Sequence, residues 1–288
     1  MKRGTWLVMG VAIGLGGFLQ PAESDVLSVD DIGGIGEFHA AMYDESSGVV
    51  VPHTHMLPGV FNLLSASDLD DFDAIYLNNA ILSGGLASIT NPNLGAVVGV
   101  GNVAGAGRIY LATHDAVSHG TPGAHSLLQN SASWAAAGHS AATHQTGLVT
   151  FWEFDATIPP AFPAEWGLGL VFGGSDFVDI LPAFDGVHPV YAGAYGPVTD
   201  EFSCATPTTV NWCTGHHVDF TLYNPAVFTE SEHDTYPTEH SVGLIRDPAN
   251  AQGGGGDQGP VVPEPASLLL FGLGSLGAGL ASRRRKTA

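Results

Sequence analysis

Carboxylates, carboxamides and imidazoles recur in this sequence at the ends of short apolar runs. Asp30 and Asp31 close the run that begins at Asp25, and Asn78 and Asn79 close Asp73–Leu77. His114 and Asp115 close Arg108–Thr113, with His119 shortly after, and Glu153 and Asp155 close the run from Gly147. Gathered on one edge, such groups could hold a divalent cation through oxygen and nitrogen ligands. They could also bind sugar hydroxyls, or move protons, since an imidazole titrates near neutrality. The same residue types cap helices and start turns, so their placement decides between these roles. His53-Thr54-His55 would set two imidazoles on one face of an extended chain. His216-His217 is a bare pair, and His125, His139 and His144 line a Gly/Ala/Ser-rich stretch. Metal sets need three or four convergent ligands, so these histidines are read as loop residues.

Other chemistries lack their residues. No Gly-x-Ser-x-Gly nucleophile turn occurs. The run Gly95–Gly107 contains Gly99-Val100-Gly101 but neither a full dinucleotide fingerprint nor a phosphate-loop lysine. The two cysteines, Cys204 and Cys213, read as a local disulfide in an exported chain.

The elements that must position these groups follow from the apolar pattern. Strands are expected at 25–31, 73–79, 108–115 and 147–154, with further strand pieces at 48–51 and 60–64. Ser67–Phe72 reads as a short capped turn, 35–43 and 126–137 as helices, and 84–104 as Gly-rich chain with weak helical content. Leu127, Leu128, Ala132 and Ala135 or Ala136 share one helical face. Apolar strands separated by helical stretches predict βαβ units and a parallel sheet covered on both faces. From about 156 to 246 the pattern becomes Pro- and Gly-rich with aromatics, predicting loops and a few strands packed on that sheet. Residues 25–155 are thus expected to form a parallel α/β core and 156–246 its C-terminal elaboration. Ligands of such sheets bind at the strand carboxyl ends, where the candidates lie.

Strand one ending in Asp30-Asp31, the Asp68–Leu77 run, and Gly107-Arg108-Ile109-Tyr110-Leu111 with His114, Asp115 and His119 resemble class I glutamine amidotransferase-like domains of the trehalose-utilisation type. Val187-His188-Pro189-Val190 and Asn211-Trp212 with His216 add to that resemblance over roughly 25–220. It implies a flavodoxin-like three-layer sandwich. The family's nucleophilic cysteine has no counterpart here, since both cysteines lie far downstream, so glutaminase chemistry is not expected.

The two ends read as addresses. Lys2 and Arg3 precede an uncharged apolar run from Trp6 to Leu19, then Pro21 and Ala22, which is the order of a secretory signal peptide over 1–22. A Gly-rich linker covers 247–261. Pro263-Glu264-Pro265, an apolar run from Leu268 to Ala281, and Arg283-Arg284-Arg285-Lys286 then follow over 262–286. The run is short for a bilayer and ends in cations, which predicts a transmembrane helix with its basic end in the cytoplasm. That order resembles the PEP-CTERM sorting signal. The resemblance implies recognition by an exosortase-type membrane protease after passage through the secretion machinery, and delivery to the cell surface or extracellular matrix.

Those ends hold six of the chain's 8 basic residues, leaving Arg108 and Arg246 in the domain against nearly all of the 28 acidic ones. Such a domain repels nucleic acid. No cofactor is established by these patterns, although a divalent cation would suit the acidic groups. The expected function is an exported envelope or matrix protein with a non-catalytic ligand-binding α/β domain, for carbohydrate or matrix polymer. The alternatives are a metal-assisted or acid–base hydrolase working from the strand ends, and a structural matrix component.

Overall fold

The four most apolar runs become strands with every residue buried: β1 (Val26–Val29), β5 (Ala74–Asn78), β6 (Ile109–Ala112) and β7 (Gly147–Phe151). A computed structural model describes residues 25–31, 43–44, 49–51, 53–113, 122–139, 145–153, 155–175, 178–198, 211–212, 216–234 and 240–248. The chain divides into two units, 1–252 and 253–288, and all described residues belong to the first. Between β1 and β5 lie β2 (Tyr43–Asp44) and β3 (Val49–Val50), which pair with each other, and then β4 (His53–Met56).

The five strands β4, β1, β5, β7 and β6 lie side by side in that order, and all their pairings are parallel. Numbered along the chain this is 2-1-3-5-4, so the last two strands are exchanged relative to the flavodoxin-like order. The exchange arises because the helix after β6 carries the chain back to insert β7 between β5 and β6. Connections from β1 and β5 leave toward opposite sides, which opens a crevice at their carboxyl ends.

Both faces of the sheet are covered, as continuous apolar strands require. One face carries Val26, Tyr76, Tyr110, Val149 and Phe151 against α4 (Pro122–Ala137), through Ala124, Leu127, Leu128, Ala132 and Ala135. The expected helical face is thus the buried one, and Pro122 starts the helix where its missing N–H costs nothing. The other face carries Leu27, Val29, Ile75, Leu77 and Leu111 against Phe61, Leu69, Leu94 and Val98. These come from the short helices α1 (Pro58–Phe61), α2 (Ala66–Asp70) and α3 (Leu94–Val98). The expected strand at 60–64 is therefore corrected: Pro58 presets a helical φ at the first turn, and Phe61 is buried while Leu63 is exposed. Ser65 and Asp68 form a reciprocal capping box on α2.

The segment after residue 155 extends the sheet rather than packing on it. The strand β15 (Ser241–Arg246) pairs antiparallel with β6, and β14 (Thr229–Asp234) pairs with β15. Outward from β14 come β9 (Val178–Ile180) and β12 (Asn211–Trp212), again antiparallel. The strand β13 (His216–Leu222) pairs with β15 and with β8 (Gly169–Ser175), giving eleven strands in this sheet among the described residues. A hairpin of β10 (Ala192–Gly193) and β11 (Gly196–Pro197) sits against α4, where the Asn130 carboxamide accepts from Tyr195 N and donates to Gly196 O. The antiparallel extension completes the parallel edge at β6, which would otherwise expose its backbone groups.

Arg246 pins the glycine-rich segment that feeds β6. Its buried guanidinium donates to Gly107 O (3.0 Å), Gly99 O (2.7 Å), Gly101 O (3.4 Å) and Val98 O, and stacks over Trp166 at 5.9 Å. Val98 and Gly99 end α3, and Gly99 takes φ 77°, a conformation suited to glycine. Burial pulls the Arg246 pKa down to about 9, so the group stays charged at neutrality.

Candidate functional site

The carboxyl ends of β1, β5 and β7 carry Asp30, Asp31, Asn78, Asn79 and Glu153, and His55 lies beside Asp30 near the carboxyl end of β4. Asp30 follows β1 directly and is fully buried. Its Oδ2 accepts from Ser28 Oγ at 3.0 Å, and its Oδ1 lies 2.6 Å from His55 Nε2. A carboxylate only accepts, so Nε2 carries the proton and Nδ1 of a neutral ring is left as an acceptor. The register of β4 on β1 sets Ser28 beside His55, which explains how an edge-strand histidine reaches the strand-end acid. The His55 side chain remains 35% exposed, so the pair spans from the interior to solvent.

Asp31 is exposed and takes a separate role, accepting Ser83 N (2.6 Å) and Ser83 Oγ (2.7 Å) across the β1–β5 crevice. At the end of β5, Asn78 Nδ2 donates to the buried Glu153 Oε1 at 2.8 Å, while Asn79 Oδ1 accepts Glu153 N at 2.7 Å. The Tyr76 hydroxyl shares this environment: burial pushes its pKa well above 10, the Asn78 hydrogen bond opposes, and the Glu153 charge adds to the rise. Asp155 caps the following turn through Thr157 N and Oγ1, as a turn former does.

Asp30, Asp31, Asn78 and Glu153 therefore lie where the sequence places them. His114, Asp115, His119, Cys204, Cys213, and Pro263, Glu264, Pro265, Arg283, Arg284 and Arg285 lie outside the described residues, as do 1–22 and the expected transmembrane segment. Among the described residues no helix is long and apolar enough to cross a membrane. Nor do three or more His, Cys, Asp or Glu side chains among them form a group able to hold a metal ion. The expectation that His53 and His55 sit on a loop is corrected, since both lie in β4. The signal was available: a five-residue run between Pro52 and Pro58 is bounded as an edge strand is. His125 likewise lies in α4, and His139, just past its end, bonds Asp73 Oδ1 at 2.7 Å.

The domain's two arginines are both engaged in structure. Arg108 donates Nη1 to Trp134 O (3.1 Å), lies over the Trp134 ring at 5.4 Å, and holds Nε 3.5 Å from Asp247. It also lines a cavity of about 230 Å³ with Asn130, Trp134 and Pro189. Arg108 precedes β6 and Ala137 ends α4, so this cavity opens at the amino-terminal edge, away from the strand-end groups.

Residues 261–286 match the PEP-CTERM protein-sorting motif. Comparison of the chain with curated proteins and with solved structures returned no match. The motif marks an exported, cell-surface protein processed by exosortase, a membrane protease.

Proposed function

We propose that this protein is displayed or released at the cell surface as a ligand-binding α/β domain, and that the carboxyl edge of the parallel sheet takes a neutral, hydroxyl-rich ligand such as a glycan. The observation that carries this reading is the buried Asp30 carboxylate holding the half-exposed His55 ring at 2.6 Å. Burying a carboxylate is costly unless its partners are fixed, and here the fixed partner presents an imidazole to solvent. Charge narrows the ligand. Asp30, Asp31 and Glu153 crowd the edge, and Arg108 and Arg246 are engaged elsewhere, so anionic polymers would be repelled while hydroxyls find acceptors.

A second reading is an acid–base hydrolase. Its specific support is the same pair, since an acid that orients a histidine is the usual arrangement for a general base. Among the described residues no hydroxyl or thiol is hydrogen-bonded to the His55 ring, which favours binding over nucleophilic catalysis.

The test is thermal unfolding of the full chain with neutral oligosaccharides, beside Asp30→Asn and His55→Ala. A ligand at about ten times its Kd adds ~1.4 kcal/mol to the folded state, which is roughly 3–6 °C for a domain of this size. The expected result is a rise in the wild type that both variants lose without turnover of the sugar. Turnover that disappears in His55→Ala would move the assignment to the hydrolase. No rise with any glycan would refute the binding reading.

A further inference from the structure

We infer that Asn79 is the residue that reads the ligand at this edge, donating its side-chain amide to an acceptor oxygen of a neutral sugar; the inference rests on the ligand-binding reading above. Asn78 and Asn79 are adjacent carboxamides with different employment. Asn78 spends its amide on the Glu153 carboxylate. Asn79 spends its carbonyl, because Oδ1 accepts the Glu153 backbone N–H at 2.7 Å. That bond settles which end of the carboxamide is which, and it turns Nδ2 away from Glu153 N. Nδ2 then has no hydrogen-bond partner, although Asn79 is only 7% exposed. Folding a donor into the interior without an acceptor is unfavourable, and such groups are few in native proteins. This one opens the turn Asn79–Ile81 at the crevice where open α/β sheets take their ligands.

The complementary group stands on β4. With Nε2 committed to Asp30, no hydrogen bond occupies His55 Nδ1, which in the neutral ring is an acceptor. Strands β4 and β5 flank β1, so these groups lie on strands about 10 Å apart. A ligand that satisfies both must accept at one end and donate at the other. Sugar hydroxyls do both, whereas a carboxylate or phosphate only accepts and would face Asp30, Asp31 and Glu153. The acceptor taken by Asn79 is a ring hydroxyl or an acetamido carbonyl oxygen, and the choice of probes separates the two.

The experiment titrates the full-length chain calorimetrically with glucose, cellobiose, N-acetylglucosamine and N,N′-diacetylchitobiose, alongside Asn79→Asp. That substitution keeps an oxygen for the Glu153 N–H and replaces only the unpaired donor by an acceptor. The expected result is wild-type binding of at least one sugar, weakened about tenfold or more in Asn79→Asp. A preference for the acetylated pair assigns the acetamido oxygen, and equal binding of both pairs assigns a hydroxyl. Unchanged affinity in Asn79→Asp overturns the inference and leaves the ligand-binding reading standing. Failure of the wild type to bind any of the four overturns both. Should the added carboxylate beside Glu153 prevent folding, the side-chain ¹H–¹⁵N signals of Asn79 in the wild-type chain serve instead. They are expected to shift with the bound sugar, and their constancy during binding overturns the inference.

Discussion

Replacing Arg246 by Met should unlock the glycine-rich entry to β6. The guanidinium donates to four carbonyl oxygens, that of Gly101 at longer range than the others, and it stacks on Trp166. A carbonyl left buried without its charged donor costs ~1–3 kcal/mol, so three of them cost roughly 6 kcal/mol. Lost stacking adds ~1 kcal/mol. Against this, the substitution removes a buried charge whose pKa is drawn from 12.5 down to about 9. At ~1.4 kcal/mol per unit, that relief returns roughly 4–5 kcal/mol. The net is a loss of about 2–3 kcal/mol, or roughly 5–10 °C in Tm for a domain of this length. Urea unfolding gives the free energy, and amide exchange across 98–107 locates the loss. Arg246→Lys should recover only part of it, because an ammonium cannot serve carbonyls spread over four residues as a planar fork does. A Met variant as stable as the wild type, with unchanged exchange at 98–107, would refute the claim that these carbonyls depend on Arg246.

Acid should act through His188, which is buried against Trp134, Phe184 and Tyr191. Burial pulls its pKa from 6.5 down to about 4, with the Asp247 charge opposing and Arg108 assisting. The unfolded chain takes up this proton near pH 6.5 and the folded chain only near 4, so stability falls as pH drops through that window, by up to ~3 kcal/mol. His188→Phe should flatten this part of the curve, gaining ~2 kcal/mol on the wild type between pH 7 and 4.5 in urea unfolding. Parallel pH curves would contradict the assignment. Gly243→Ala should cost ~1–3 kcal/mol, since a Cβ there would lie within 3.0 Å of the buried Glu232 side chain. An unchanged denaturation midpoint would show that Glu232, held by Tyr110 Oη at 2.9 Å, can move aside.

Much of the core was legible because burial on both faces writes itself as continuous apolar runs. The runs at 25–31, 73–79, 108–115 and 147–154 contain β1, β5, β6 and β7, and at the ends of β5 and β7 Asn78 meets Glu153. Strand order was not legible, because nothing local in Gly147–Phe151 says that it inserts between β5 and β6. The fate of 156–246 was misjudged for a related reason: β14 is Thr-Glu-Ser-Glu-His-Asp, a run whose polarity hides that Ser231, Glu232 and Asp234 are buried. His55 was visible as a residue type but not as a partner, since its bond to Asp30 depends on the β1–β4 register.

The central claim, that ligand is taken at the carboxyl edge of the parallel sheet, is tested most directly by hydrogen exchange of the full chain with and without a saturating glycan. The account predicts slower exchange in peptides covering 29–31, 53–57, 76–83 and 151–157. Protection confined to 130–137 and 189–196, around the cavity beside Arg108 and Trp134 at the opposite edge, would contradict it.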